Sequence, residues 1–161
     1  MQTTTNPTSH SSTADREIVT TRLIDAPREL VYEAWTDPKH VGHWFGPDGF
    51  TTITKSMDVR PGGKWVFVMH GPDGTEWPNV VTYEEVTAPT RLVYPHGDDK
   101  ELDMFHVTMT LDDEGGQTAL TMRAVFKSAA ARDFVVRERG AIEGGKQTVQ
   151  RLEAYVRGLR G

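Results

Sequence analysis

Chemistry in this chain would have to come from a short set of side chains. Six histidines are present: His10, His40, His43, His70, His96 and His106. His10 lies in a polar N-terminal stretch. His40 and His43 are three apart, which puts them on adjacent faces of one helical turn. No acid completes a metal-ligand spacing such as His-Glu-x-x-His, so no metal site is expected. His70 and His106 fall on the strand face opposite the presumed core, and His96 opens the polar loop His96–Lys100. Alternation places one acid, Glu85, beside Val81 and Tyr83. Turned inward, Glu85 would have its pKa raised by desolvation and could act as a general base. More commonly such a residue ends a strand and pairs with an arginine at the rim, so Glu85 is only a weak catalytic candidate. The chain has no Cys, which excludes disulfides, thiolate nucleophiles and Cys-based metal centres. It also lacks a Gly-x-Ser-x-Gly elbow and both glycine-rich phosphate-binding patterns, so nucleotide binding has no support and no cofactor is expected.

The elements that must hold these groups can be read from periodicity. Arg16–Asp25 is rich in β-branched residues and reads as a first strand. Pro27 opens a helix whose buried stripe is Leu30, Val31, Ala34 and Trp35. Asp37 and Pro38 cap and start a second short helix carrying Val41, Trp44 and Phe45. After the turn Gly46-Pro47-Asp48-Gly49, strands are expected at Phe50–Val59, Lys64–His70, Val80–Val86 and Arg91–Tyr94. Two more follow by alternation, through Phe105, Val107, Met109 and Leu111, and through Leu120, Met122, Ala124 and Phe126. Short turns between them indicate antiparallel pairing. Ser128–Arg139 reads equally as a short helix or an ordered loop. From Ile142 onward, Gly145, Val149, Leu152, Val156 and Leu159 recur every three or four residues, with Lys146, Gln147, Arg151 and Glu153 largely on the other face. This last helix needs a surface for its apolar stripe, and the preceding sheet is the only large one. An α+β fold follows, with a sheet curled around the C-terminal helix.

Composition bounds the rest. The 161 residues, 37% of them hydrophobic, suit one domain. Lys plus Arg total 18 against 23 Asp plus Glu, a net charge of −5, which argues against nucleic-acid or anionic-membrane partners. Residues 1–15 lack the basic start and apolar run of a signal peptide and are expected to form a polar, disordered tail ahead of a single domain at 16–161. No stretch approaches the roughly 20 apolar residues of a membrane span, so the cytoplasm is the expected location. Oligomeric state is not legible.

Several runs together resemble a known family. They are Ile24-Asp25-Ala26-Pro27-Arg28-Glu29-Leu30-Val31-Tyr32-Glu33-Ala34-Trp35-Thr36-Asp37-Pro38, Trp44-Phe45-Gly46-Pro47, Arg60-Pro61-Gly62-Gly63-Lys64-Trp65, Gly71-Pro72-Asp73-Gly74, Glu85-Val86-Thr87-Ala88-Pro89-Thr90-Arg91-Leu92 and Gln147-Thr148-Val149-Gln150-Arg151-Leu152. Over roughly Arg16 to Leu159 the chain is similar to the activator of heat-shock-protein-90 ATPase homologue-like family of the START-like (SRPBCC) superfamily. The resemblance implies a helix-grip fold, in which a curved antiparallel sheet of about seven strands wraps the C-terminal helix and leaves a cavity. Its expected walls are Trp65, Phe67, Met69, Val81, Tyr83 and Tyr94 on the sheet, Trp44 and Phe45 at the lip, and Gly145, Val149 and Leu152 on the helix. Apolar and aromatic walls with a few hydroxyls suit a small-molecule site. The competing reading is that these residues interdigitate as core. Family members often carry tryptophan at the position matching Gly145, so this glycine points to open space, unless Gly144-Gly145 simply precede the helix. The expected function is binding of a small, largely apolar or aromatic ligand. The superfamily's polyketide cyclases and aromatases suggest an enzyme as one alternative, and the co-chaperone ancestry suggests a chaperone contact as another.

Overall fold

The β-branched run that opens the domain forms β1 (Glu17–Ile24). The fold is given by a computed structural model that describes residues 13–160. Of the expected tail, residues 1–12 lie outside the described residues, whereas Arg123 Nη2 already donates to Thr13 Oγ1 at 3.1 Å. Two short helices follow β1. In α1 (Arg28–Thr36) Pro27 occupies the cap position, so the helix starts one residue later than expected. In α2 (Pro38–Val41) Pro38 takes the first turn while Asp37 accepts from the Lys39 N–H. Pro is suited to that position because its missing N–H would have no helical partner there.

Eight strands make one sheet: β1, β2 (Thr51–Met57), β3 (Lys64–His70), β4 (Glu76–Thr82), β5 (Glu85–Thr87), β6 (Arg91–Gly97), β7 (Phe105–Glu114) and β8 (Gln117–Phe126). Their spatial order is β1-β8-β7-β6-β4-β3-β2, with β5 on β6, and the pairing is antiparallel throughout. The expected strand Val80–Val86 is in fact two. At Tyr83 the chain changes partners: the Tyr83 N–H donates to Gly63 O at 2.9 Å, and the next N–H, of Glu84, donates to Val93 O at 2.8 Å. The first of the two strands also starts earlier, at Glu76. Pro78 is tolerated because that stretch pairs with β3 alone, pairing with β6 beginning only at Val80. Similarly, β6 continues past Tyr94, so His96 belongs to a strand and not to the polar loop.

Ser128–Arg139 resolves as a helix, α3 (Ala129–Arg139). Ser128 Oγ accepts from the Ala131 N–H, and Gly140 ends the helix in the left-handed conformation at φ 61°. The long helix α4 (Ala141–Arg160) starts at once. Gly144 and Gly145 therefore lie inside it, and the reading in which they precede the helix is overturned. A side chain at Gly145 would place Cβ 2.9 Å from Thr20 Oγ1, so glycine is what lets α4 approach β1 this closely. Val149, Leu152 and Val156 are fully buried against the sheet, and Leu159, at the end of the expected stripe, is exposed.

Residues expected on the polar face of α4 clamp it instead. Glu153 accepts from Arg22 Nη2 at 2.7 Å and from the Asp25 N–H at 2.9 Å. Arg151 Nη1 donates to the carbonyls of Gly46 at 2.8 Å and Pro47 at 3.0 Å. Gln147 accepts from the Asp48 N–H. The helix is thus held to β1 on one flank and to the 46–50 turn on the other.

Candidate functional site

An apolar pocket of about 160 Å³ lies between the first turns of α4 and the sheet, partly open to solvent. Strand register builds its floor. Ile18 pairs with Ala124, Thr20 with Met122, and Phe105 with Phe126. All six line the pocket, and Ala141 and Gly145 close it from the helix. Alternation explains why these residues share a face: 18 and 20, and 122, 124 and 126, are two apart on neighbouring strands. The space itself comes from Ala124, Ala141 and Gly145, short side chains that meet where larger ones would fill it.

Thr20 is the one hydroxyl in this wall. It is 6% exposed, and among the described residues its side chain makes no hydrogen bond. No lining residue is ionisable. The Phe105 and Phe126 rings stack at 5.0 Å between centroids and 30° between planes, and both line the pocket.

Of the expected wall residues, Gly145 lines this pocket and the others do not. Trp44, Trp65, Phe67, Val81, Tyr83, Tyr94, Val149 and Leu152 belong to the packed core, with half-buried Phe45 and Met69 against them. Their polar groups mostly find partners. Trp44 Nε1 donates to Ala34 O at 3.0 Å, and Trp65 Nε1 donates to Thr54 Oγ1 at 3.1 Å. The Trp35 indole hydrogen-bonds the Tyr94 hydroxyl, whose pKa burial nevertheless raises. Phe45 meets both Trp65 and Phe67 edge-on, and those two rings stack at 3.8 Å. Tyr83 is the exception. Its hydroxyl is buried without a hydrogen-bond partner among the described residues, and burial holds its pKa above the ordinary tyrosine range.

His96 connects this core to the pocket. Its ring lies 4.8 Å from that of Phe105 and 5.9 Å from that of Phe67. Its Nε2 is 2.7 Å from Asn79 Oδ1. The Asn79 amide nitrogen donates to Trp77 O, which fixes Oδ1 as the acceptor and therefore places the proton on His96 Nε2. Burial pushes the His96 pKa down to about 4, so the imidazole is neutral at pH 7. Glu85 stands apart from the pocket. It is half exposed and accepts from Arg91 Nε at 3.1 Å and from Thr87 Oγ1 at 2.9 Å.

A second constellation lies at the surface, where donor atoms of Glu33, Asp37 and His40 fall within 4.8 Å of one another and could reach a cation. They already satisfy each other and their neighbours. His40 Nε2 is 3.5 Å from Glu33, its Nδ1 is 2.7 Å from the Tyr155 hydroxyl, and Asp37 caps α2. The two acids lie upstream of His40, so a search for a downstream acid between paired histidines passes over them. The pocket's own signal was the run of small residues: Ala124, Ala141 and Gly145 fall on faces that are otherwise apolar.

Comparison with known proteins agrees with this architecture. The family model described as "Activator of Hsp90 ATPase homolog 1-like protein" matches residues 25–157. Among solved structures, a protein from Nitrosomonas europaea is 25% identical with a TM-score of 0.82, over 91% of this chain and 97% of that one. One from Mycobacterium smegmatis is 23% identical with a TM-score of 0.82, over 91% and 94%. An AHSA1-like protein from Aeromonas hydrophila is 21% identical with a TM-score of 0.70, over 89% and 94%. No curated protein matches the chain. Among the described residues no helix is long and apolar enough to cross a membrane.

Proposed function

The chain belongs to the Activator of Hsp90 ATPase homolog 1-like family, with its START-like fold, and from that premise we propose that it binds a small, largely apolar molecule between the sheet and the C-terminal helix. The observation that carries this reading is the pocket at Gly145, where three short side chains leave about 160 Å³ inside otherwise packed walls. Interiors close-pack to near-crystal density, and apolar walls left against water in a partly open pocket forgo the burial and dispersion contacts that a guest would supply. Burying an apolar guest there recovers those contacts at roughly 25 cal/mol per Å² of area removed from water. A wall without an ionisable side chain offers a reaction no general acid or base, which favours binding over cyclase-type catalysis.

Mass spectrometry tests the reading on protein purified from its own cells, both intact and as a solvent extract. A stoichiometric small molecule is expected, and it should be lost from a Gly145→Leu variant, whose side chain enters the pocket. Protein that carries nothing, in both measurements, removes the reading.

A further inference from the structure

We infer that the ligand is a single neutral aromatic ring bearing one hydroxyl, a phenol-type molecule, with its oxygen on Thr20 and its ring against Phe105 and Phe126. This rests on the small-molecule reading above and adds the chemical class. Size comes first. An apolar cavity of about 150 Å³ lined by Leu, Ile and Phe takes up benzene, and the pocket here is about 160 Å³. Drug-sized ligands and polyketides need about 300 Å³ or more, and an acyl chain long enough to anchor a lipid exceeds the space in the same way.

Shape and charge come next. Phe105 and Phe126 stack on each other as cross-strand partners, and the ring surface they leave toward the pocket offers an aromatic guest edge and face contacts that a flexible chain does not match. Met122, on the same sheet face, is unbranched and adjusts to the guest. A carboxylate or ammonium would have to shed its water with no counter-charge in the wall, which is strongly unfavourable. The ligand is therefore neutral. The polar feature that remains is the hydroxyl of Thr20, a residue more than nine-tenths buried that lines the pocket, whose Oγ1 lies toward Gly145 and makes no side-chain hydrogen bond among the described residues. A hydroxyl can both donate and accept, so a phenolic oxygen satisfies it in either sense.

Isothermal titration calorimetry on the full chain tests this with benzene, phenol, hexan-1-ol and benzoate. Phenol and benzene are expected to bind, with hexan-1-ol at least about tenfold weaker than phenol and benzoate undetectable. In Thr20→Val the phenol-to-benzene affinity ratio should fall at least about fivefold, because a buried phenolic O–H then has no partner. Thr20→Ser, which keeps the hydroxyl, should preserve the ratio. Intermolecular NOEs from phenol ring protons to the Met122 methyl in the unmodified protein locate the ligand whether or not the valine variant folds. Hexan-1-ol binding as tightly as phenol overturns the ring assignment, and benzoate binding as tightly overturns the neutral class. A ratio unmoved by Thr20→Val, or no NOE to Met122, overturns the placement. If none of the four binds while protein from cells still carries a small molecule, the phenol class is wrong and the binding reading stands. If neither is observed, both fall.

Discussion

His96 shows how placement decides what a titratable residue does. The groups packed around it, Phe67, Tyr94 and Phe105, carry no charge, and Asn79 offers only a carbonyl oxygen. Burial therefore holds its pKa at about 4, below the ordinary 6.5. Between those values the unfolded chain binds the proton that the folded one refuses, so stability falls as pH drops through that window. The slope is about 1.4 kcal/mol per pH unit from this one group. Chemical denaturation between pH 6.5 and 5, above most carboxylate titration, should show it. His96→Gln keeps a donor for Asn79 and should flatten the slope there; an unchanged slope would assign it to other groups.

Two residues decide how α4 is seated against β1. At Gly145 the helix gives up the roughly 0.5–1 kcal/mol that alanine would add. The reason is contact, since a Cβ would meet Thr20 Oγ1 at 2.9 Å. Gly145→Ala is therefore expected to destabilise by about 1 kcal/mol through overpacking, despite the gain in propensity. In a Thr20→Ala background the same change should instead stabilise by about 0.5 kcal/mol, and a double-mutant cycle reads the coupling. Additive effects would mean the two do not touch. On the helix flank, burial alone would raise the Glu153 pKa, but the Asp25 N–H and Arg22 outweigh it and hold it below the ordinary 4.5. Its stabilising contribution is therefore present above about that pH and is lost as pH falls through the lower folded value. Glu153→Gln should cost about 1–3 kcal/mol at pH 7 and progressively less below pH 4.5. A cost independent of pH would make it a matter of packing alone.

Across the whole molecule, β1 is joined to β8 about a hundred residues later, and the pocket sits where that pair meets the start of α4. Local patterns foretold most of the pieces. Alternation delimits Lys64–His70, the Asp37-Pro38 pair marks a helix start, and the spacing from Gly145 to Val156 predicts the buried face of α4. Motif runs spread along the chain carried the family and so the fold. These are nearest-neighbour properties, and the sequence by itself determined them. Tertiary structure alone decided the rest. Whether Val80–Val86 is one strand or two depends on where β6 lies, and whether His96 is solvated depends on Asn79 and Phe105 arriving beside it. Trp65, Phe67 and Tyr94 were foreseen on the inner face, but a face does not say which of its positions interdigitate and which are left open. That is settled by the side-chain volumes that meet across strands and helix, and here Ala124, Ala141 and Gly145, distant in the chain, meet in one place.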